Sequence, residues 1–375
     1  MAKRVILAVA GAGKTYFLCH KIDPNKRNLI LAFTHENINN IQHELYKAYG
    51  RLPELTTVTT FDSFVYHELI LPYEPSIAEY FGHPEFISNG ICTIDPPSKT
   101  IKNKFGISKP NPLYTAKNEL NHYITHNQQY YCTTLSELVM QIKQNRETLV
   151  NRVAKRLNLF YDCILIDEFQ DFREYDYDLI MALVKRLNDI TLVGDYYQHS
   201  VSGTNNSGKP YKCKTKEISY ADFLNALQST GVEVDTTTLE KSRRCSTEIC
   251  EYVCKKLNIQ IASCSENDGA VVWIDDEAER IINDNSVTKL VYKDAAKCLF
   301  NAMNWSYSKG STLNAVCVIL TDDFEELQKD SFSIERISKS TINKLYVAMT
   351  RSCGNLYLIK SSTFKRLKHK FIKSK

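Results

Sequence analysis

A lysine and a threonine close a turn of small residues in "VILAVAGAGKTYF", residues 5–17. Five apolar residues, Val5 to Val9, predict a short buried strand. Ala10, Gly11, Ala12 and Gly13 then form the turn, and Lys14 and Thr15 open a helix. Glycines let successive backbone N–H groups turn inward around an anion, and a helix N-terminus adds partial positive charge. Lys14 is placed to reach the β- and γ-phosphates of a nucleotide, and the Thr15 hydroxyl to hold Mg²⁺. Ala8 stands where the usual pattern begins with glycine. An ordinary strand-to-helix turn is the alternative, and the strand–loop–helix setting favours the phosphate site.

A second pair of reactive groups comes from "ILIDEFQDF", residues 164–172, where an apolar strand delivers Asp167 and Glu168 to its C-terminal end. Mg²⁺ takes carboxylate and water ligands, which suits Asp167. Glu168 is then available to orient or deprotonate the water that attacks a γ-phosphate.

Strands must position these groups. "NLILAF" (28–33), "TTVTTF" (56–61), "CILIDEF" (163–169) and "ITLVGD" (190–195) are further apolar runs, with helical stretches between them. Such alternation predicts an α/β fold with parallel sheets covered on both faces. Ligands in such sheets gather at the C-terminal strand ends. Between about residues 72 and 134 the pattern gives way to Pro-, Asn-, Tyr- and Lys-rich sequence, too long for a loop and therefore read as an inserted subdomain. A polar, Gly-rich break at 202–216 precedes a second α/β unit. The expected division is 1–231 and 232–375.

Composition sets limits. Of 375 residues 43% are hydrophobic and 24% charged, which describes a globular chain long enough for two domains. No apolar run approaches the ~20 residues of a membrane span. The first apolar segment runs straight into the phosphate loop, so no cleaved targeting segment is expected. The twelve cysteines show no disulfide framework. Cys245, Cys250 and Cys254 are spaced for a helix face rather than a metal site, so buried thiols and a cytoplasmic setting are expected. Net charge is +4, and "KSSTFKRLKHKFIKSK" at the end carries seven Lys or Arg and no acid. It is either a phosphate-backbone contact or a solvated terminus.

"DEFQD" after an apolar strand, followed by "LVGDYYQHS" (192–200), resembles the UvrD/Rep-like branch of superfamily 1 DNA helicases. Further segments follow in that family's order. "LAFTHENINNIQHEL" (31–45) is similar to its first DNA-contacting motif, with Thr34 and His35 at the polar positions. "TTFDSF" (59–64) resembles its Thr-Phe-His-Ser motif, with Asp62 in place of histidine and Thr60, Phe61 and Ser63 as DNA contacts. "LEKSRRCS" (239–246) places Arg244 at the arginine of the Asn-Tyr-Arg-Ser motif. "YSKGSTLNAVCVIL" (307–320) resembles the Lys-Gly motif, and "NKLYVAMTRS" (343–352) the last one, with Arg351 at its arginine.

The resemblance implies two RecA-like P-loop NTPase domains with ATP and Mg²⁺ between them, a small insertion in the first domain and no large one in the second. Arg244 and Arg351 would neutralise the transferring phosphoryl group, and Gln198 would sense the γ-phosphate. It also implies a DNA-dependent ATPase that moves 3′ to 5′ on single-stranded or partly duplex DNA. The family's adenine-reading glutamine has no counterpart before Ala8. Val201 and Gly203 stand where it has Tyr and Trp, which leaves Tyr196 and Tyr197 either as substitute stacking aromatics or as core packing. The alternative is a regulatory DNA-sensing ATPase switch that controls a partner protein such as a nuclease. A small-molecule P-loop kinase is a weaker third reading.

Overall fold

The computed structural model describes residues 2–144, 146–199, 208–213 and 216–373. Val201, Gly203 and most of the polar break at 202–216 lie outside them. Two parallel sheets organise the chain, as expected of two RecA-like units.

The first sheet contains β1 (Lys3–Leu7), β2 (Asn28–Ala32), β3 (Thr56–Thr60), β4 (Cys163–Ile166), β5 (Ile190–Gly194) and β6 (Glu233–Asp235), in the spatial order β6-β1-β5-β4-β2-β3. Every pairing in it is parallel. Alternate side chains along each strand enter opposite cores, as the two-residue period of a strand requires. Ile6, Ile30, Leu165 and Val193 pack with Leu18, Ile41 and Leu45 of the helices Lys14–Lys21 and His35–Tyr49. Val5, Leu31, Ile166 and Leu192 face the other way, onto Phe61, Val153 and Leu179.

The second sheet contains β7 (Val271–Ile274), β8 (Thr288–Val291), β9 (Ala302–Asn304), β10 (Val316–Ile319) and β11 (Leu356–Ile359), ordered β7-β11-β10-β8-β9 and again all parallel. All four residues of β10 are buried. The helix Lys339–Met349 covers one face through Leu345, Tyr346 and Met349.

One expected boundary needs correction. The segment beginning near Val232 does not start the second unit. Its strand β6 pairs with β1 (Val5 opposite Val234) and so forms the edge of the first sheet. Apolar alternation identified the strand but carried no information about which sheet would accept it.

The region 72–134 begins in a helical run over residues 61–80 and continues through short strand pairs and single turns. The helices Leu135–Gln141 and Leu149–Phe160 lead back to β4. The basic C-terminal segment folds as the helix Ser361–Phe371. Lys365, Arg366 and Lys370 pair with Asp322, Asp275 and Glu279 of the second unit at 2.6, 2.6 and 2.7 Å. These three charges form surface ion pairs whose side chains remain open to solvent. No helix among the described residues is long and apolar enough to cross a membrane.

Candidate nucleotide site between the two units

Because the first sheet is parallel, β1, β2, β4 and β5 all deliver their following residues to one edge. Ala8 N still pairs with Gly194 O (2.8 Å) and Asp167 N with Leu31 O (3.0 Å), so these loops leave the sheet side by side. The turn after β1 places Gly11 and Gly13 at φ 74° and 86°, a left-handed region that favours glycine. Gly11 has a second reason to be glycine, since an added Cβ would lie 2.6 Å from Ser242 Oγ and 2.7 Å from Arg244 Cβ. The second unit therefore lies directly against the phosphate loop, and Arg243 N donates to Gly11 O (2.9 Å). Ala10 and Ala12 are buried and shape the turn.

The helix Lys14–Lys21 starts without a side-chain cap and has no acid in its first turn. Its leading amides are free of the carboxylate or hydroxyl that closes most helix starts. Thr15 Oγ1 donates to Asp167 Oδ2 (2.8 Å), which joins the two groups expected to hold a divalent cation. Lys14 Nζ lies 3.5 Å from Glu168 Oε1. Glu168 itself has φ 54°, unusual for a residue with a side chain, and strain of this kind gathers at functional positions.

Charges here are strongly coupled. Burial, followed by the Glu168 charge, pushes the Asp167 carboxyl up to about 6. Burial acts in the same direction on Glu168, but Lys14 and Lys309 outweigh it and bring that carboxyl down to about 2. Glu168 therefore holds its proton much more weakly than Asp167 does. Gln170 Nε2 also donates to Glu168, while its Oε1 accepts from Asp195 N (2.8 Å).

From the second unit come two guanidinium groups. Arg244 Nε donates to Thr312 Oγ1 (2.9 Å) and its Nη1 to Thr350 O (3.1 Å). Arg351 Nε donates to Val347 O (2.9 Å). Neither pairs with a carboxylate among the described residues. Burial, followed by the neighbouring Arg244 charge, lowers Arg351 to about 9. Two guanidinium groups held close together with only neutral acceptors call for an anion between them.

These groups line one cavity of about 520 Å³, with Gly11, Gly13, Lys14, Thr15, Glu168 and Gln198 on one side and Arg244, Thr312 and Arg351 on the other. The donor set fits a triphosphate with a divalent cation.

Other residues of the cavity were not singled out by sequence. Asn37 and Asn40 face it from the helix His35–Tyr49, and Arg243, Asn267 and Cys353 from the second unit. Tyr16, 49% exposed, also lines it, stacked on His20 with ring centroids 3.7 Å apart. Lys309 belongs to a recognised motif but had no assigned role. It reaches across to Asp171 (2.6 Å) and to Glu168 (3.5 Å). Tyr346 is a second bridge, whose hydroxyl accepts from Ala10 N (2.8 Å) and donates to Asp195 Oδ2 (3.2 Å).

Gln198 is buried and donates to Asp195 Oδ2 (2.7 Å) at the cavity edge. The expected DNA contacts divide. Thr34 and His35 are exposed at the start of the helix His35–Tyr49, where Thr34 Oγ1 accepts from Asn37 N. Thr60 Oγ1 accepts from Ser63 N (3.2 Å) and both residues stay partly open. Phe61 is a correction, because it is 3% exposed and packs edge-on against Phe172 with centroids 4.8 Å apart, a core position rather than an open base platform. Tyr197 is half-buried among Tyr196, Tyr220 and Tyr346, and Tyr196 is in the core. All the described cysteines are free thiols; Cys245 and Cys250 are buried and Cys254 half-buried. No described group of three or more His, Cys, Asp or Glu residues is arranged to hold a metal ion.

The AAA domain family matches residues 2–204, more than half of the chain. The chain belongs to that family. The order of its motifs places this AAA domain protein with the UvrD/Rep-like superfamily 1 helicases. A curated relative, the probable DNA helicase II homolog of Mycoplasma genitalium, is 26% identical over 236 residues, which cover 52% of this chain and 33% of the relative. The matched region thus spans about a third of that relative's length. Among solved structures, an arterivirus nonstructural protein 10 helicase in complex with DNA is similar at TM-score 0.46 and 12% identity, covering 95% of this chain and 60% of that one. The PRRSV helicase gives TM-score 0.44 and 14% identity, covering 99% and 55%.

Proposed function

We propose that this AAA domain protein hydrolyses ATP between its two RecA-like units and uses the cycle to move along single-stranded DNA in the 3′ to 5′ direction. The observation that carries the reading is the pairing of an uncapped, glycine-shaped phosphate loop with two guanidinium groups that have no carboxylate partner, supplied by the other unit. Lys14 and the loop amides would bind the β- and γ-phosphates. Thr15 and Asp167 would hold Mg²⁺, which supplies positive charge against the phosphate oxygens. Glu168, kept ionised by Lys14 and Lys309, would accept a hydrogen bond from the attacking water and orient it. Arg244 and Arg351 would neutralise charge that develops on the transferring group. Gln198 and Tyr346 meet at Asp195, and this gives the strand-end loop a route to register the nucleotide state.

Steady-state ATP hydrolysis with and without single-stranded DNA tests this, with Glu168→Gln as the control. The reading requires stimulation by DNA that disappears in the control. Turnover indifferent to nucleic acid would remove DNA from the account. One observation favours the regulatory switch as a second reading: Phe61 and Tyr196 are buried, so fewer aromatics face a DNA track. Slow, unstimulated hydrolysis with intact DNA binding would select the switch.

A further inference from the structure

The insertion in the first unit carries a feature that the nucleotide site does not use. Strands Thr100–Lys102 and Ser108–Pro110 pair antiparallel, with Lys102 opposite Ser108. The turn between them is internally tied. Asn103 Oδ1 accepts from Phe105 N (2.9 Å) and Ile107 N (3.0 Å), Asn103 N donates to Ile107 O (2.9 Å), and Gly106 takes φ 77°. This fixed tip presents Phe105 at 75% exposure, with Ile107 also exposed.

Charge points the same way. Residues 96–118 hold five lysines and no carboxylate. Lys117 is engaged by Glu137. Lys99, Lys102, Lys104 and Lys109 are exposed and make no ion pair among the described residues. The C-terminal helix is different, because three of its basic side chains are already neutralised by carboxylates.

A lysine cluster of this kind complements a phosphate backbone. An aromatic ring on a rigid turn can stack only on a base face that is not already covered, which in DNA means a single strand or the end of a duplex. The feature that offers paired backbones and an uncovered base face together is the junction between duplex and single strand. We propose that the hairpin 100–110 docks on that junction, its lysines on phosphates and Phe105 on the terminal base. This rests on the DNA-dependent reading above.

The test compares binding of the full chain to a duplex with a 3′ single-stranded tail and to the tail alone, by fluorescence anisotropy over a range of salt. Phe105→Ala is expected to weaken the tailed duplex about tenfold and to leave the tail alone nearly unchanged. The triple variant Lys102→Gln, Lys104→Gln, Lys109→Gln is expected to lower the slope of log affinity against log salt by roughly 2 to 3. All four positions are exposed, and melting curves confirm folding. Wild-type affinity and slope in both variants would overturn the inference, and equal loss on the tail alone would overturn the junction assignment. If these variants keep DNA-stimulated hydrolysis, the failure belongs to the hairpin alone. If the wild type binds neither DNA, this inference and the DNA-dependent reading fall together.

Discussion

Lys309 of the second unit lies 2.6 Å from Asp171 and 3.5 Å from Glu168 of the first, so one ammonium group spans the cleft to the carboxylates beside the phosphate loop. All three side chains are largely buried. Burial works against the Lys309 charge, but Asp171 and Glu168 raise its affinity for the proton above the ordinary lysine value.

Lys309→Ala would leave Asp171 buried without its cation. Breaking such a pair from one side costs about 3 kcal/mol or more. Urea denaturation should show that loss, and Asp171→Asn added to it should recover part of the stability, because the Asp171 charge is then removed together with its cation. A single variant as stable as the wild type would mean that the contact across the cleft contributes nothing.

Tyr346→Phe removes the hydroxyl by which the second unit holds two loops of the first. Ala10 N and Asp195 Oδ2 each lose a partner in a dry setting, and about 1–3 kcal/mol is expected for such a loss. Nucleotide affinity should fall with stability, because Ala10 belongs to the phosphate loop. Isothermal titration with a non-hydrolysed ATP analogue reads this, and unchanged affinity would separate the loop from the second unit.

His199 gives a pH dependence. Burial, against the helping Tyr196 carbonyl, lowers its pKa to about 3, and its ring stacks on Tyr211 at 4.0 Å. The unfolded chain binds this proton near pH 6.5, so stability is fully present above 6.5 and is lost as the pH falls towards 3. The slope reaches about 1.4 kcal/mol per pH unit. His199→Asn should be less stable at pH 8 yet flatter between pH 6.5 and 4.5. Parallel curves for the two proteins would show that His199 does not titrate differently on folding.

Local pattern made much of the site legible. The strand–turn–helix around Lys14 and the strand before Asp167 need only apolar runs, glycines and an uncapped helix start, and each forms where those signals stand. The bridges were less accessible. Tyr346 meets Ala10 and Lys309 meets Asp171 across sequence separations of 336 and 138 residues, and nothing local specifies such partners. Phe61 shows the converse problem. An aromatic at a strand end is compatible with a base platform or a core, and only the edge-on contact with Phe172 decides for the core. Likewise, β6 could be read as a strand but not assigned to its sheet, because edge pairing depends on the chain path that brings it beside β1.

The central claim, that hydrolysis takes place between the units, is tested most directly by the turnover of Arg244→Gln and Arg351→Gln at saturating ATP and single-stranded DNA. Arginines that act on the transferring group are worth roughly 10³–10⁵ in rate. Each variant should therefore lose at least about a thousandfold in kcat while still binding a non-hydrolysed analogue and melting as a folded protein. Wild-type kcat in both variants would place the chemistry in the first unit alone and contradict the account.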